Sequence, residues 1–222
     1  MSTDPGPAAQ RDGDLPGVER LLTLSDGVVA IALTLLVLQL RVPSLGPHAN
    51  ANSASELAAQ LSKDGDQLTS YVISFYVIAQ FWLVHHRVFR QIAGQREGLA
   101  WWNFAFLFTI TVMPFTSDLL GKFGSNPLAV DIFALNLLLA SLATQATIMF
   151  GRHNKLLVAS IGRREAVAGQ LRSALSALVI GLSMGLAWVD TNTAKYVWLA
   201  LAVVPRVADR WAAHRVASRA GG

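Results

Sequence analysis

Cysteine is absent from all 222 residues, which excludes disulfides and thiolate metal sites. Charge is scarce: 14% of residues are Asp, Glu, Lys or Arg, against about 25% in an ordinary soluble domain. That deficit points to a membrane protein. The chain also lacks a Walker A loop, an H-E-x-x-H helix, a G-x-S-x-G elbow and a T-V-G-Y-G filter. No hydrophobic segment carries a regular arginine ladder, and the two halves show no repeat, which argues against an inverted-repeat transporter. No nucleophile or metal constellation accompanies the histidines, so the chain does not read as an enzyme and no cofactor is expected. Residues 1–17 are polar, contain Pro and Gly, and lack the basic n-region of a signal peptide. They read as a disordered cytoplasmic tail ahead of a retained helix.

What is present is apolar: 53% of the chain is hydrophobic. A bilayer core about 30 Å thick needs about 20 helical residues to cross it. Six stretches come close, at 19–42, 67–89, 98–120, 127–150, 167–189 and 191–207. The third holds Pro114, a kink signal, and the fourth starts at Pro127, a favoured first helical residue. The sixth, "TNTAKYVWLALAVVPRV", is the weakest and spans only if Lys195 and Arg206 snorkel to the two interfaces. The fold class is therefore all-α and integral to the membrane, with six transmembrane helices in a domain covering 18–208 and a basic tail at 209–222. A cytoplasmic N-terminus puts fourteen basic residues inside, against Arg41, Lys63, Lys122 and Lys195 outside. This satisfies the positive-inside rule and places both termini in the cytoplasm. In the outer 44–66 loop, Ser53 and Glu56 fit a capping box, and Leu57 and Leu61 lie one turn apart. A short interfacial helix and a flexible loop are both open there.

Polar residues inside the spans are few. Asp26 lies about 9 Å further along the first helix than Arg20, at 1.5 Å per residue, a spacing too long for a direct pair on one face. Asp26 therefore needs a partner on another helix. The antiparallel register brings the inner end of the second helix, "FWLVHHRVFR", and the start of the third to the same depth. Arg20, Ser25, Asp26, His85 and Asn103 are expected to form one buried inter-helix network. His85 and His86 differ by about 100° around the helix, so only one faces it. The bland alternative is a set of interfacial residues, with Trp82, Trp101 and Trp102 as belt aromatics. Gly181-x-x-x-Gly185, with Ala177 one turn earlier, is a helix-packing signature.

The run "RLLTLSDGVVAIALTLLVL" resembles the transmembrane protein 175 potassium channels in their bacterial six-helix form. The family pattern is Arg, three residues, Phe-Ser-Asp, then Gly-Val-x-Ala-Ile-Ala-x-Thr-Leu-Leu. Arg20, Ser25, Asp26, Gly27, Val28, Ala30, Ile31, Ala32, Thr34, Leu35 and Leu36 match it, and Leu24 replaces the phenylalanine. "FWLVHHRVF" and "WWNFAFLFTITVMPF" also look like the family. The resemblance implies a passive potassium-selective channel whose pore is lined by four first helices. A chain with one six-helix unit must then form a homotetramer in the lipid bilayer, with no nucleic-acid partner. Ile31, Leu35 and Leu38 fall at i, i+4 and i+7, one helical stripe bordered by Thr34. Under the resemblance they form an apolar constriction that gates by dewetting, with Thr34 as a polar ring. On spacing alone the same stripe reads as a packing seam, with Thr34 bonded to the carbonyl of residue 30 or 31. A different functional class, a proton-coupled transporter or proton pathway, would use Asp26 and His85 as titrating groups.

Overall fold

Long apolar segments bounded by Gly, Pro and charged residues fold here into a helical bundle. The computed structural model describes residues 17–42, 53–63, 65–94, 96–158, 163–204, 207, 208, 210 and 211. The segment 1–16, most of the outer loop before Ser53, Arg206 and the tail after Trp211 lie outside the described residues. The helices are α1 (Gly17–Val37), α2 (Ala54–Lys63), α3 (Gly65–Phe89), α4 (Glu97–Lys122), α5 (Pro127–His153), α6 (Arg163–Ala187) and α7 (Thr191–Val197). A 3-10 turn at Trp198–Ala202 continues α7. Among the described residues, α1, α3, α4, α5 and the Ala168–Ala187 part of α6 are long and apolar enough to cross a membrane.

The sixth hydrophobic segment is not one regular helix. It is α7, the 3-10 turn, and helical residues at Val204, Val207, Ala208, Arg210 and Trp211. Lys195 does not snorkel. It is 2% exposed, and its Nζ lies 3.6 Å from Asp66 Oδ1 at the start of α3. The outer-loop helix α2 forms where the capping pattern sits, with the Glu56 amide 3.4 Å from Ser53 Oγ. Leu57 and Leu61 on it remain exposed.

The α4 helix is the hub, packing against α1, α3 and α5. Its Phe106, Ile110, Met113 and Leu120 are fully buried against Leu36 of α1, Val77 and Ile78 of α3, and Phe133 and Leu137 of α5. Trp198 closes one end of this core, its ring tilted against Phe133 at 4.7 Å and its indole N–H donating to Ser183 Oγ at 2.8 Å. A second cluster of Leu21, Phe89, Ile92 and Leu99 sits where α1 begins, α3 ends and α4 begins. There the α3–α4 connection pairs with the strand-like residues after α5: the Ala93 amide donates to Leu156 O at 2.7 Å, and Val158 to Gln91 O at 3.0 Å. Gly98 permits the close approach of α5 at this end, because a Cβ there would lie 2.3 Å from the Phe150 ring. Ser74–Ser117 (2.8 Å) and Asn136 Nδ2 to Thr109 O (3.1 Å) satisfy polar groups inside the bundle.

The packing signature on α6 has no partner among the described residues. Ala177, Gly181 and Gly185 are exposed, and no atom lies within 4 Å of a Cβ built on either glycine. It is the outer face of α6, not a seam to α5.

Candidate functional site

The first helix has two unlike faces. Leu21, Ser25, Val29, Ala32 and Leu36 are buried against α3 and α4, at the three- and four-residue spacing of one stripe. The opposite face carries Arg20, Gly27, Ala30, Ile31, Thr34 and Leu35, and Leu38 follows in the turn just after the helix, all exposed. Ile31 is 60% and Leu38 75% exposed, values far from a packed core position. The stripe of Ile31, Leu35 and Leu38 therefore touches little within its own chain. Thr34 sits on the same face, and its hydroxyl donates to the Ile31 carbonyl at 2.8 Å. That bond uses the only hydroxyl proton, so the oxygen lone pairs face outward from the helix.

α1 ends before Leu38, earlier than the hydrophobic run. The Leu38, Gln39 and Leu40 amides bond to Leu35, Leu36 and Val37, three residues back, which tightens the chain into a turn. The Gln39 side-chain amide donates to the Pro114 carbonyl at the proline of α4. This fixes the C-terminal end of α1 on α4.

The N-terminal half of α1 is fixed by a buried hydrogen-bonded chain. Ser25 Oγ donates to the Leu21 carbonyl at 2.7 Å and accepts from Asn103 Nδ2 at 3.0 Å. Asn103 Oδ1 lies 2.8 Å from His85 Nε2. With the amide in this orientation, His85 carries its proton on Nε2 and donates. Its ring is stacked between Phe89 (4.4 Å) and Phe106 (4.5 Å). Ser25 and Asn103 are fully buried and His85 is 2% exposed. Three helices are thereby joined at one depth.

Asp26 and Arg20 are not in this chain. Asp26 Oδ1 accepts from the Trp82 indole at 2.8 Å and lies 3.9 Å from His86 Nδ1. Trp82 and His86 are one turn apart on α3, with ring centroids 5.3 Å apart. This second cluster is half-exposed. Arg20 projects from the exposed face of α1, with no ion pair among the described residues. The five residues expected in one network thus divide: Ser25, Asn103 and His85 together, Asp26 with Trp82 and His86, and Arg20 apart. Sequence register put Trp82 and His86 at the depth of Asp26 but left them out of the expected network. Their i, i+4 placement on the face one step around from His85 was the signal available. No hydrogen bond links Asp26 to His85 among the described residues. Nor is there a group of three or more metal-ligating side chains among them.

Comparison with known proteins bears on these same helices. Residues 20–114, from the arginine of the α1 motif to Pro114, match the family described as "Endosomal/lysosomal potassium channel TMEM175". A Streptomyces collinus protein named as a potassium channel is 30% identical over 176 residues, covering 77% of this chain and 82% of that one. A Chamaesiphon minutus protein, also named as a potassium channel, is 34% identical over 110 residues, half of this chain and 52% of its own. The fold is similar to the crystal structure of a lysosomal potassium-selective channel TMEM175 homologue from Chamaesiphon minutus. The TM-score is 0.70 at 22% identity, covering 86% of this chain and 97% of that one. On its sequence match over most of the length of the Streptomyces relative, this chain belongs to the TMEM175 family of potassium channels.

Proposed function

We propose that four copies of this chain assemble around one axis with α1 innermost and conduct potassium passively across a plasma membrane. The observation that carries this reading is the exposed stripe of Ile31, Leu35 and Leu38 on the helix that bears the family motif. A helix face this apolar and this open needs a cover, and lipid or further copies of the chain are the available ones. Symmetric assembly brings four stripes together, which needs no other protein. Ile31, Leu35 and Leu38 then stack as apolar rings, and the narrowest ring closes the pathway by excluding water. Thr34 adds a ring of hydroxyl oxygens on the same wall. Because its proton is held by the Ile31 carbonyl, the oxygen presents lone pairs suited to a cation.

The rest of the proposal concerns placement. Six crossings are completed by α7, the 3-10 turn and the helical residues up to Trp211, with the Lys195 charge answered by Asp66 inside the bundle in place of snorkelling. Both termini lie in the cytoplasm, as the basic residues at the inner loops favour. The Ser25–Asn103–His85 chain and the Trp82–Asp26 bond position α1 so that its bare face points to the axis. Purified protein in liposomes under a potassium gradient tests the proposal. Potassium flux from a tetrameric preparation is expected. A folded tetramer without flux, or a monomer or dimer in lipid, overturns it.

A further inference from the structure

A cavity of about 560 Å³ opens between α3, α5 and α6, away from the exposed face of α1. We propose that it binds the phosphate headgroup of an anionic membrane phospholipid. Three arginines converge on it, one from each helix: Arg87, Arg152 and Arg172. Gln91, Gln145 and Gln170 add amide donors, and no carboxylate is among the described lining residues. Guanidinium groups match phosphate with paired N–H donors. All three arginines are half-buried, in surroundings where such bonds are less screened than in open water.

The other walls select a lipid over a free anion. Phe81, Val84, Ile148, Leu201 and Val204 make much of the lining apolar. Met149, at the same cavity, is 66% exposed on the outside of α5. An acyl chain lies along such a wall, whereas free phosphate leaves it bare. The site is also at the correct depth. Arg87 and Arg152 stand in the last turns of α3 and α5, on the side that the basic loops mark as cytoplasmic. Basic pockets between transmembrane helices at that level are where anionic headgroups are held. The volume is within the range of built ligand sites, about 300–1,000 Å³. This inference uses the membrane placement proposed above but not conduction, and its test reads lipid retention.

The test is native mass spectrometry of the detergent-solubilised protein titrated with phosphatidylglycerol, with phosphatidylcholine and inorganic phosphate as separate arms. Phosphatidylglycerol is expected to be retained in preference to phosphatidylcholine and not to be displaced by inorganic phosphate. Arg152→Gln and Arg172→Gln are each expected to weaken retention about fivefold, the equivalent of about 1 kcal/mol per basic residue. Arg152→Lys is expected to recover part of the loss. Should Arg172→Gln fail to fold, Arg152→Gln, at a helix end, carries the comparison, with its lipid-free thermal unfolding as the control for fold. Equal retention of the two lipids, unchanged retention in the glutamine variants, or displacement by inorganic phosphate overturns the proposal.

Discussion

Asn103 Oδ1 lies 2.8 Å from His85 Nε2, and the same amide donates to Ser25, so one residue of α4 joins α3 to α1. Each of the three is buried, and each bond answers a polar group that has no water to turn to. Asn103→Leu leaves the imidazole N–H of His85 without a partner, and Ser25 with its bond to the Leu21 carbonyl alone. The expected loss is about 1–3 kcal/mol for each buried group left unsatisfied, read as a lowered thermal midpoint in detergent. Substituting Ser25 and Asn103 together by Ala and Leu should lose less than the sum of the two single changes.

Neighbouring residues on α1 should respond oppositely. Leu36 is fully buried, and Leu36→Ala is expected to destabilise the fold by about 2–5 kcal/mol. Leu35, next in the chain, is 44% exposed in the single chain. Leu35→Ala should leave the subunit fold intact while raising conductance or reducing selectivity for potassium over sodium. Liposome flux with each cation, beside thermal unfolding, separates the two effects. An unchanged flux from both Leu35→Ala and Ile31→Ala sinks the assignment of the constriction.

Gly98 has a packing role that its position early in α4 conceals. A methyl group there would meet Phe150 Cζ at 2.3 Å, so Gly98→Ala must displace the ring. Overpacking of this kind costs about 1–3 kcal/mol. The double variant Gly98→Ala with Phe150→Leu should regain part of the loss. A Gly98→Ala protein with an unchanged unfolding midpoint contradicts the contact.

Asp190 caps α7, accepting from the Asn192 and Thr193 amides and from the Thr193 hydroxyl. The Thr193 side chain, then the backbone amides, hold its carboxyl below the usual aspartate range. A carboxylate with a depressed folded-state pKa stabilises fully above its unfolded value, and the effect fades as pH falls through the folded one. Acid titration of the wild type should therefore show a loss below the ordinary aspartate range. Asp190→Asn keeps a capping oxygen and should remove this component of the acid response. Equal acid responses in the two proteins contradict it.

How much of this could be read beforehand differs from residue to residue. The stripe of Ile31, Leu35 and Leu38 could be drawn from helical period, but period alone read it as a packing seam, and its exposure depends on which face of α1 meets α3 and α4. The depth shared by Ser25, His85 and Asn103 followed from antiparallel register. Rotation did not: Asp26 is one residue on from Ser25, about 100° around the helix, and so turns to Trp82 and His86 instead. Lys195 illustrates a harder limit. Its burial beside Asp66 depends on where the last segment meets α3, and no local pattern encodes a contact so distant in sequence. The α6 small-residue stripe was visible as a motif, but a motif does not state whether its partner lies in the same chain.

The central claim is that the bare face of α1 lines the conduction pathway, and the absence of native cysteine permits a direct test. Leu35→Cys and Leu38→Cys are reconstituted in liposomes and treated with a charged, thiol-specific methanethiosulfonate reagent. Leu139→Cys, on an exposed position of α5, serves as the control. Potassium flux should be blocked in the two α1 variants and persist in the control. Undiminished flux through Leu35→Cys and Leu38→Cys channels, with labelling of both thiols shown by mass spectrometry, would contradict the account.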